Sequence, residues 1–203
     1  MGLVLALLYD RLGAASESAG LREERRRLLA RAHGEVLEIG AGTGANLELY
    51  PAVVTRVVAS EPDRYMARRL RRRARAAPVP VEVLAAPAEA LPVPAASFDT
   101  VVGTLVLCTV RDPAAVLSEV ARVLRPGGRY LFLEHVRGHE QRLAAWQDRL
   151  APLWGVIGGG CHPNRATLAA LRASPLTVAE VNEGEIPRAP QLVRPMISGV
   201  AER

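Results

Sequence analysis

Apolar residues fall along this chain in two alternating patterns. Short, nearly continuous apolar runs occur at Glu35–Ile39, Thr55–Ser60, Val81–Ala85, Phe98–Thr104 and Arg129–Glu134, each bounded by glycine, proline or charged residues. Such runs are too short for buried helices and predict strands covered on both faces. Between them lie helix-compatible stretches at Ala45–Tyr50 and Tyr65–Ala77, and one from Asp112, a capping residue followed by Pro113, to about Leu124. Aspartate before a proline at the first turn is a helix start signal. Strand and helix thus alternate five times, which predicts an open, mostly parallel, doubly wound α/β sheet.

The flanks extend this plan. Met1–Gly13 reads as an apolar lead segment, Ser16–Gly20 as a polar connection, and Leu21–Ala32 as a helix stopped by Gly34. After the alternating part, Gln141–Leu150 predicts a helix with Trp146 on its buried face, and Gly158–Gly160 a flexible joint. A further helix runs from Asn164 or Thr167 to Ala173. Thr177–Asn182 and Pro195–Ala201 read as two last strands forming an antiparallel hairpin. No linker divides the chain, so one domain over residues 1–203 is expected, with lead and helix in 1–33, a ligand-binding core in 34–135 and an acceptor side in 136–203.

In a doubly wound sheet, ligands bind where the strands end in their carboxyl direction. That edge is where the chemistry gathers here. Gly40, Gly42 and Gly44 follow the first strand at alternate positions; Glu61 follows the second, Pro87–Glu89 the third, Thr104–Leu107 the fourth, and Glu134-His135 the fifth. Glycines at that turn let a ligand press against bare backbone. Glu61 lies about 20 residues beyond them, the place from which a carboxylate accepts both hydroxyls of a ribose. The spacing is G-x-G-x-G, not that of a pyrophosphate loop. Glu38, two residues before Gly40, suits an ammonium group better than a phosphate. The pattern points to a nucleoside carrying a cationic amino-acid tail.

Composition changes this picture little. The 203 residues include 49% hydrophobic and 23% charged, which is globular, and only 4% aromatic, which argues against stacking on single-stranded nucleic acid. Net charge is +5, and all 26 basic residues are arginine. A lysine nucleophile is therefore excluded. The run Arg68–Arg75 reads as a solvated helix face and not as a nucleic-acid patch. Cys108 and Cys161 lack C-x-x-C spacing, so neither a disulfide nor a metal site is expected, and a cytoplasmic setting fits. Cys108 reads as a small buried residue. Met1–Leu8 is too short to span a bilayer; Gly2 lacks the hydroxyl residue at position 6 that myristoylation requires, and peripheral membrane contact stays open.

The set Glu38-x-Gly40-x-Gly42-x-Gly44, Glu61-Pro62, Ala88–Pro92, Ser97–Val102 and Arg122–Gly128 resembles the class I S-adenosylmethionine-dependent methyltransferases, in the small-molecule branch. A narrower resemblance, carried by Thr104–Cys108, Glu134–Val136, Gly160-Cys161 and Leu192–Pro195, is to methyltransferase-like proteins that methylate thiols. The resemblance implies a seven-stranded sheet with its last strand antiparallel, and S-adenosyl-L-methionine as cofactor. It implies that Glu38, Gly40, Ala41, Gly42, Gly44 and Asn46 surround the methionine part and that Glu61 with Pro62 takes the ribose. Ala88 and Glu89 would flank adenine, and Thr104 and Leu105 would lie under the sulfonium. Pro87 stands where the family commonly has an aspartate bonding the adenine amino group, and proline offers neither side-chain acceptor nor N–H.

Methyl transfer is an in-line displacement that needs alignment and exclusion of water. A base is needed only for a protonated nucleophile; a thiol is already partly ionised near neutrality, whereas a phenol is not. His135 is the candidate base, and His162 is a second edge histidine that reads as an exposed loop residue. Tyr9, the lead segment and Trp154–Pro163 would wall a small, apolar acceptor, with a thiol first and a quinone-type hydroxyl or carbon second. A nicotinamide-dependent oxidoreductase, an RNA or protein methyltransferase and a non-catalytic nucleoside-binding module remain as alternatives, and the oligomeric state is not indicated.

Overall fold

A computed structural model describes residues 3–203, with side chains from Asp10 onward. The expectations for Met1, Gly2 and the Tyr9 side chain lie outside the described residues. Seven strands form one sheet in the order β3-β2-β1-β4-β5-β7-β6. They are β1 (Gly34–Ile39), β2 (Val54–Ser60), β3 (Val81–Leu84), β4 (Phe98–Thr104), β5 (Leu124–His135), β6 (Thr177–Glu185) and β7 (Pro195–Glu202). β1 to β5 are parallel; β7 runs antiparallel to both β5 and β6. The last hairpin is therefore inserted with its second strand inside, so β6 is the sheet edge.

The continuous apolar runs are explained by burial on both faces. Val36, Val57, Val102, Leu131 and Leu133 face one layer, which includes Leu28 and Leu29 of α2 (Arg22–Leu29) and Leu70 of α3 (Arg64–Ala74). Their neighbours Leu37, Val58, Val101, Tyr130 and Phe132 face the other, with α4 (Pro113–Val123) and α6 (Thr167–Arg172). Asp112 caps α4 as expected, accepting from the N–H groups of Ala114 and Ala115. α1 (Leu3–Ser16) precedes α2, and α5 (Gln141–Ile157) follows β5.

Three local expectations are corrected. Ser16–Gly20 is not an open connection: Glu17–Leu21 is a π-helical turn that joins α1 to α2 with a kink at Gly20. The segment after the glycine loop is not a regular helix but a single 3-10 turn, Leu47–Leu49. Between Gly44 and Pro51 there is room only for i+3 bonds, Leu47 N–H to Gly44 and Leu49 N–H to Asn46. Trp146 is 60% exposed, not buried. α5 runs on to Ile157 and turns Ala144, Gln147 and Ala151 inward, which carries Trp146 to the opposite side.

Candidate active site

The strand order reverses direction between β1 and β4, and their carboxyl ends flank the crevice that such a switch point opens. The loop after β1 carries Gly40, Gly42 and Gly44, all at positive φ. A Cβ at Gly40 would lie 2.2 Å from Val106 Cγ2, so that glycine is needed to seat the loop against the turn after β4. A Cβ at Gly42 would meet nothing nearer than the Gly40 carbonyl at 4.0 Å, and so would face open space. Ala41 is buried, and its N–H donates to the Ser60 carbonyl at 2.9 Å, fastening the loop to the end of β2.

Glu61 closes this loop from the side. Its Oε2 accepts from Gly42 N–H at 2.9 Å and its Oε1 from Asp63 N–H at 2.8 Å, with exposed Pro62 between them. Burial raises its pKa against the pull of those two donors. The carboxylate keeps free lone pairs beside Gly42, the acceptors that the hydroxyls of a vicinal diol would meet.

Behind the loop lies a buried polar network that the linear order only partly suggests. Glu38, last but one in β1, accepts from Asn46 Nδ2 at 3.0 Å and Tyr50 OH at 2.8 Å. Burial pushes its carboxyl up to about 7. Asn46 Nδ2 also reaches Thr104 Oγ1 at 3.0 Å, so three of the expected residues meet. A further member of the network is Arg25 of α2. It is buried and donates to Asn46 Oδ1 at 3.1 Å and Thr104 Oγ1 at 2.6 Å, while its Nε pairs with Glu17 at 3.0 Å. Within an arginine-rich helix, no local signal separates it from Arg26 and Arg27, which pair with Glu23 and Glu24 outside. Asp10 of α1 likewise joins the loop, accepting from Thr43 Oγ1 at 2.6 Å and pairing with Arg73.

The loops after β3, β4 and β5 complete the edge. Ala88 is buried, and Glu89 Oε1 accepts from Arg111 N–H at 2.9 Å, which ties the β3 loop to the one after β4. Leu105 takes φ +58, a costly conformation for a branched side chain, held by its N–H bond to Leu133 O at 2.7 Å. Glu134 is fully buried, and its Oε1 accepts from Val106 and Leu107 N–H, both at 2.9 Å. Burial lifts its pKa to about 7.

His135 is buried, with Nε2 2.8 Å from Cys161 Sγ, and its Nδ1 has no hydrogen-bond partner among the described residues. Cys108 joins them: one ligating atom from each of Cys108, His135 and Cys161 lies within 4.8 Å of the others. Cys108 is thus buried as expected, but in polar company. The S–H of Cys108 and the neighbouring His135 and Trp154 donors draw the Cys161 thiol down, while the same partnership and burial push Cys108 up. His162 is exposed, and so are Arg68, Arg71, Arg72 and Arg75. Trp154 donates Nε1–H to Cys161 Sγ at 3.3 Å and also lines a groove of about 570 Å³ with Leu143, Trp146, Leu150, Leu153 and Ile157. Among the described residues, no helix is long and apolar enough to cross a membrane.

Residues 37–132 match the family profile described as Methyltransferase domain. The crystal structure of geranyl diphosphate C-methyltransferase from Streptomyces coelicolor, in complex with S-adenosyl-L-homocysteine, superposes with a TM-score of 0.68 over 90% of this chain and 76% of that one, at 14% identity. At that identity the likeness shows the fold. The chain belongs to the class I S-adenosylmethionine-dependent methyltransferases, and its cofactor is S-adenosylmethionine.

Its relatives are more particular. It is 35% identical over 171 residues to thiol S-methyltransferase TMT1A of Homo sapiens, covering 82% of this chain and 69% of the relative. It is 42% identical over 145 residues to thiol S-methyltransferase TMT1B of Homo sapiens, covering 68% and 59%. A phosphatidylethanolamine N-methyltransferase of Cereibacter sphaeroides is 34% identical over 156 residues, covering 74% of each. The chain therefore spans about three fifths to three quarters of the length of these relatives.

Proposed function

We propose that this methyltransferase acts on a small, apolar thiol. The observation that carries the reading is the Cys108–His135–Cys161 group, seated at the ligand edge and bridged by Trp154 to an apolar groove. The thiol S-methyltransferase relatives support it.

The residues present fit the cofactor. The open space over Gly42 admits a ligand against backbone, and Glu61 beside it offers acceptors for ribose hydroxyls. Arg25, buried among Asn46 and Thr104, supplies the positive charge that a methionine carboxylate requires. Glu38 holds Asn46 and Tyr50 in place, so its role toward the cofactor is exerted through them. Ala88 and Glu89 border the adenine side, where Pro87 leaves recognition to backbone groups.

S-adenosylmethionine supplies an activated methyl group. The protein's task is to align an acceptor sulfur behind that carbon and to exclude water. Thr104 and the turn Leu105–Cys108 form the floor between the two ligands, held rigid by Glu134. The acceptor sulfur would be ionised beside the cysteine–histidine group, of which His135, the expected base, is one member. The two free cysteines suit a reducing compartment such as the cytoplasm.

The test is turnover with labelled cofactor on a matched panel of thiols and phenols, together with calorimetric binding of S-adenosylhomocysteine. Methylation of thiols in preference to phenols is expected. Turnover of phenols, amines or RNA without thiols refutes the acceptor reading.

A further inference from the structure

Cys108, His135 and Cys161 come from three separate segments. Cys108 lies in the turn after β4, where its Sγ contacts the Leu105 carbonyl at 3.4 Å and its own carbonyl accepts from His162 N–H at 2.8 Å. His135 is the last residue of β5, and Cys161 follows the glycine turn after α5. All three side chains are buried. Backbone pairing therefore fixes each of them before any ligand arrives.

We propose that these three side chains bind one Zn(II) ion, and that the fourth coordination position takes the sulfur of the methyl acceptor. Two sulfurs and one imidazole nitrogen are a donor set that selects zinc over magnesium or calcium. Zinc bonds of about 2.3 Å to sulfur and 2.0–2.1 Å to nitrogen require tetrahedral edges of roughly 3.5–3.8 Å. The observed cluster, all within 4.8 Å and with one N···S contact at 2.8 Å, reaches those edges by side-chain shifts of about an ångström or less. Zn(II) with two thiolates carries no net charge, which suits a buried site. Trp154 Nε1–H already points at Cys161 Sγ and would steady that ligand from outside. Three protein ligands with an open fourth position are the arrangement of reactive zinc sites, not structural ones.

The fourth-ligand part rests on the thiol reading above. The acceptor thiol loses its proton to water as it binds zinc. Its sulfur then forms a bond to the methyl carbon while the sulfonium–methyl bond breaks, the electron pair staying on the departing sulfur. The neutral thioether is a poor zinc ligand and leaves.

The experiment is a Co(II) titration of the full chain in metal-free buffer with a phosphine reductant. One equivalent should bind, with sulfur-to-cobalt charge-transfer bands and tetrahedral d–d bands. Cys108→Ser, Cys161→Ser and His135→Gln should each weaken binding tenfold or more. S-adenosylhomocysteine affinity within threefold of the parent serves as the check that each variant is folded. Thiophenol added to the cobalt form should shift the charge-transfer bands. Absence of those bands in the parent, or binding unchanged in both serine variants, overturns the metal site, and a mass two hydrogen atoms lighter, measured on protein kept free of reductant, would assign Cys108 and Cys161 to a disulfide instead. Bands that form but ignore thiophenol overturn the fourth-ligand assignment. A cobalt or zinc form that binds metal yet methylates no thiol overturns the thiol reading and leaves the metal site standing.

Discussion

Gly40 and Gly42 have the same backbone conformation and opposite surroundings, so alanine at each separates fold from ligand. Both take φ near +58°, where a Cβ costs about 1–2 kcal/mol. At Gly42 that is the whole cost, because the added methyl meets no protein atom nearer than the Gly40 carbonyl at 4.0 Å and so makes no clash. For a chain of this size, a melting temperature lower by about 2–8 °C is expected. At Gly40 the methyl also collides with Val106, and overpacking adds about 1–3 kcal/mol. The drop there should be about 4–20 °C. The order reverses for ligand. Gly42→Ala puts its methyl into the space assigned to the cofactor and should raise the Kd for S-adenosylhomocysteine at least tenfold, or about 1.4 kcal/mol. Scanning calorimetry and titration calorimetry on the two variants measure both quantities. A Gly42→Ala variant that binds within twofold of the parent refutes the placement of the cofactor over this loop. A Gly40→Ala variant no less stable than Gly42→Ala refutes the packing argument.

Three further outcomes follow from the same geometry. Arg25→Met, which keeps the stem and removes the charge, should weaken S-adenosylhomocysteine tenfold or more yet leave methylthioadenosine, which lacks the carboxylate, unchanged; equal loss on both refutes the carboxylate role. Glu38 has a folded pKa of about 7 against 4.5 unfolded, so its stabilising contribution is complete below pH 4.5 and is lost as pH rises through 7, by roughly 3 kcal/mol at most. Glu38→Gln should flatten denaturant stability across that window, leaving the part due to Glu134, which has the same sign, and an unchanged slope refutes the assignment. Asp112→Ala removes two capping bonds at α4 and should cost about 1 kcal/mol, read as a melting temperature lower by about 2–4 °C, with no change in cofactor affinity.

The alternating core was legible in the residues because each of its signals is local. Strands covered on both faces must be apolar throughout, Asp112-Pro113 starts a helix by its own hydrogen bonds, and positive φ at Gly40, Gly42 and Gly44 suits residues without a side chain. The glycine loop and Glu61 could be paired because a parallel sheet places the end of every strand on one edge, and Glu61 does lie on Gly42. The π turn, the shortened helix after Gly44 and the exposed Trp146 were not legible, since space between neighbours decides them. Arg25 was hidden among identical arginines until packing buried one of them. Cys108 and His135 read separately as a core residue and a base, and Cys161 carries no role of its own beyond a short family resemblance. Only the sheet register and the return of the chain after α5 bring them within 4.8 Å, because contacts across 53 residues are set by tertiary packing and leave no mark on local sequence.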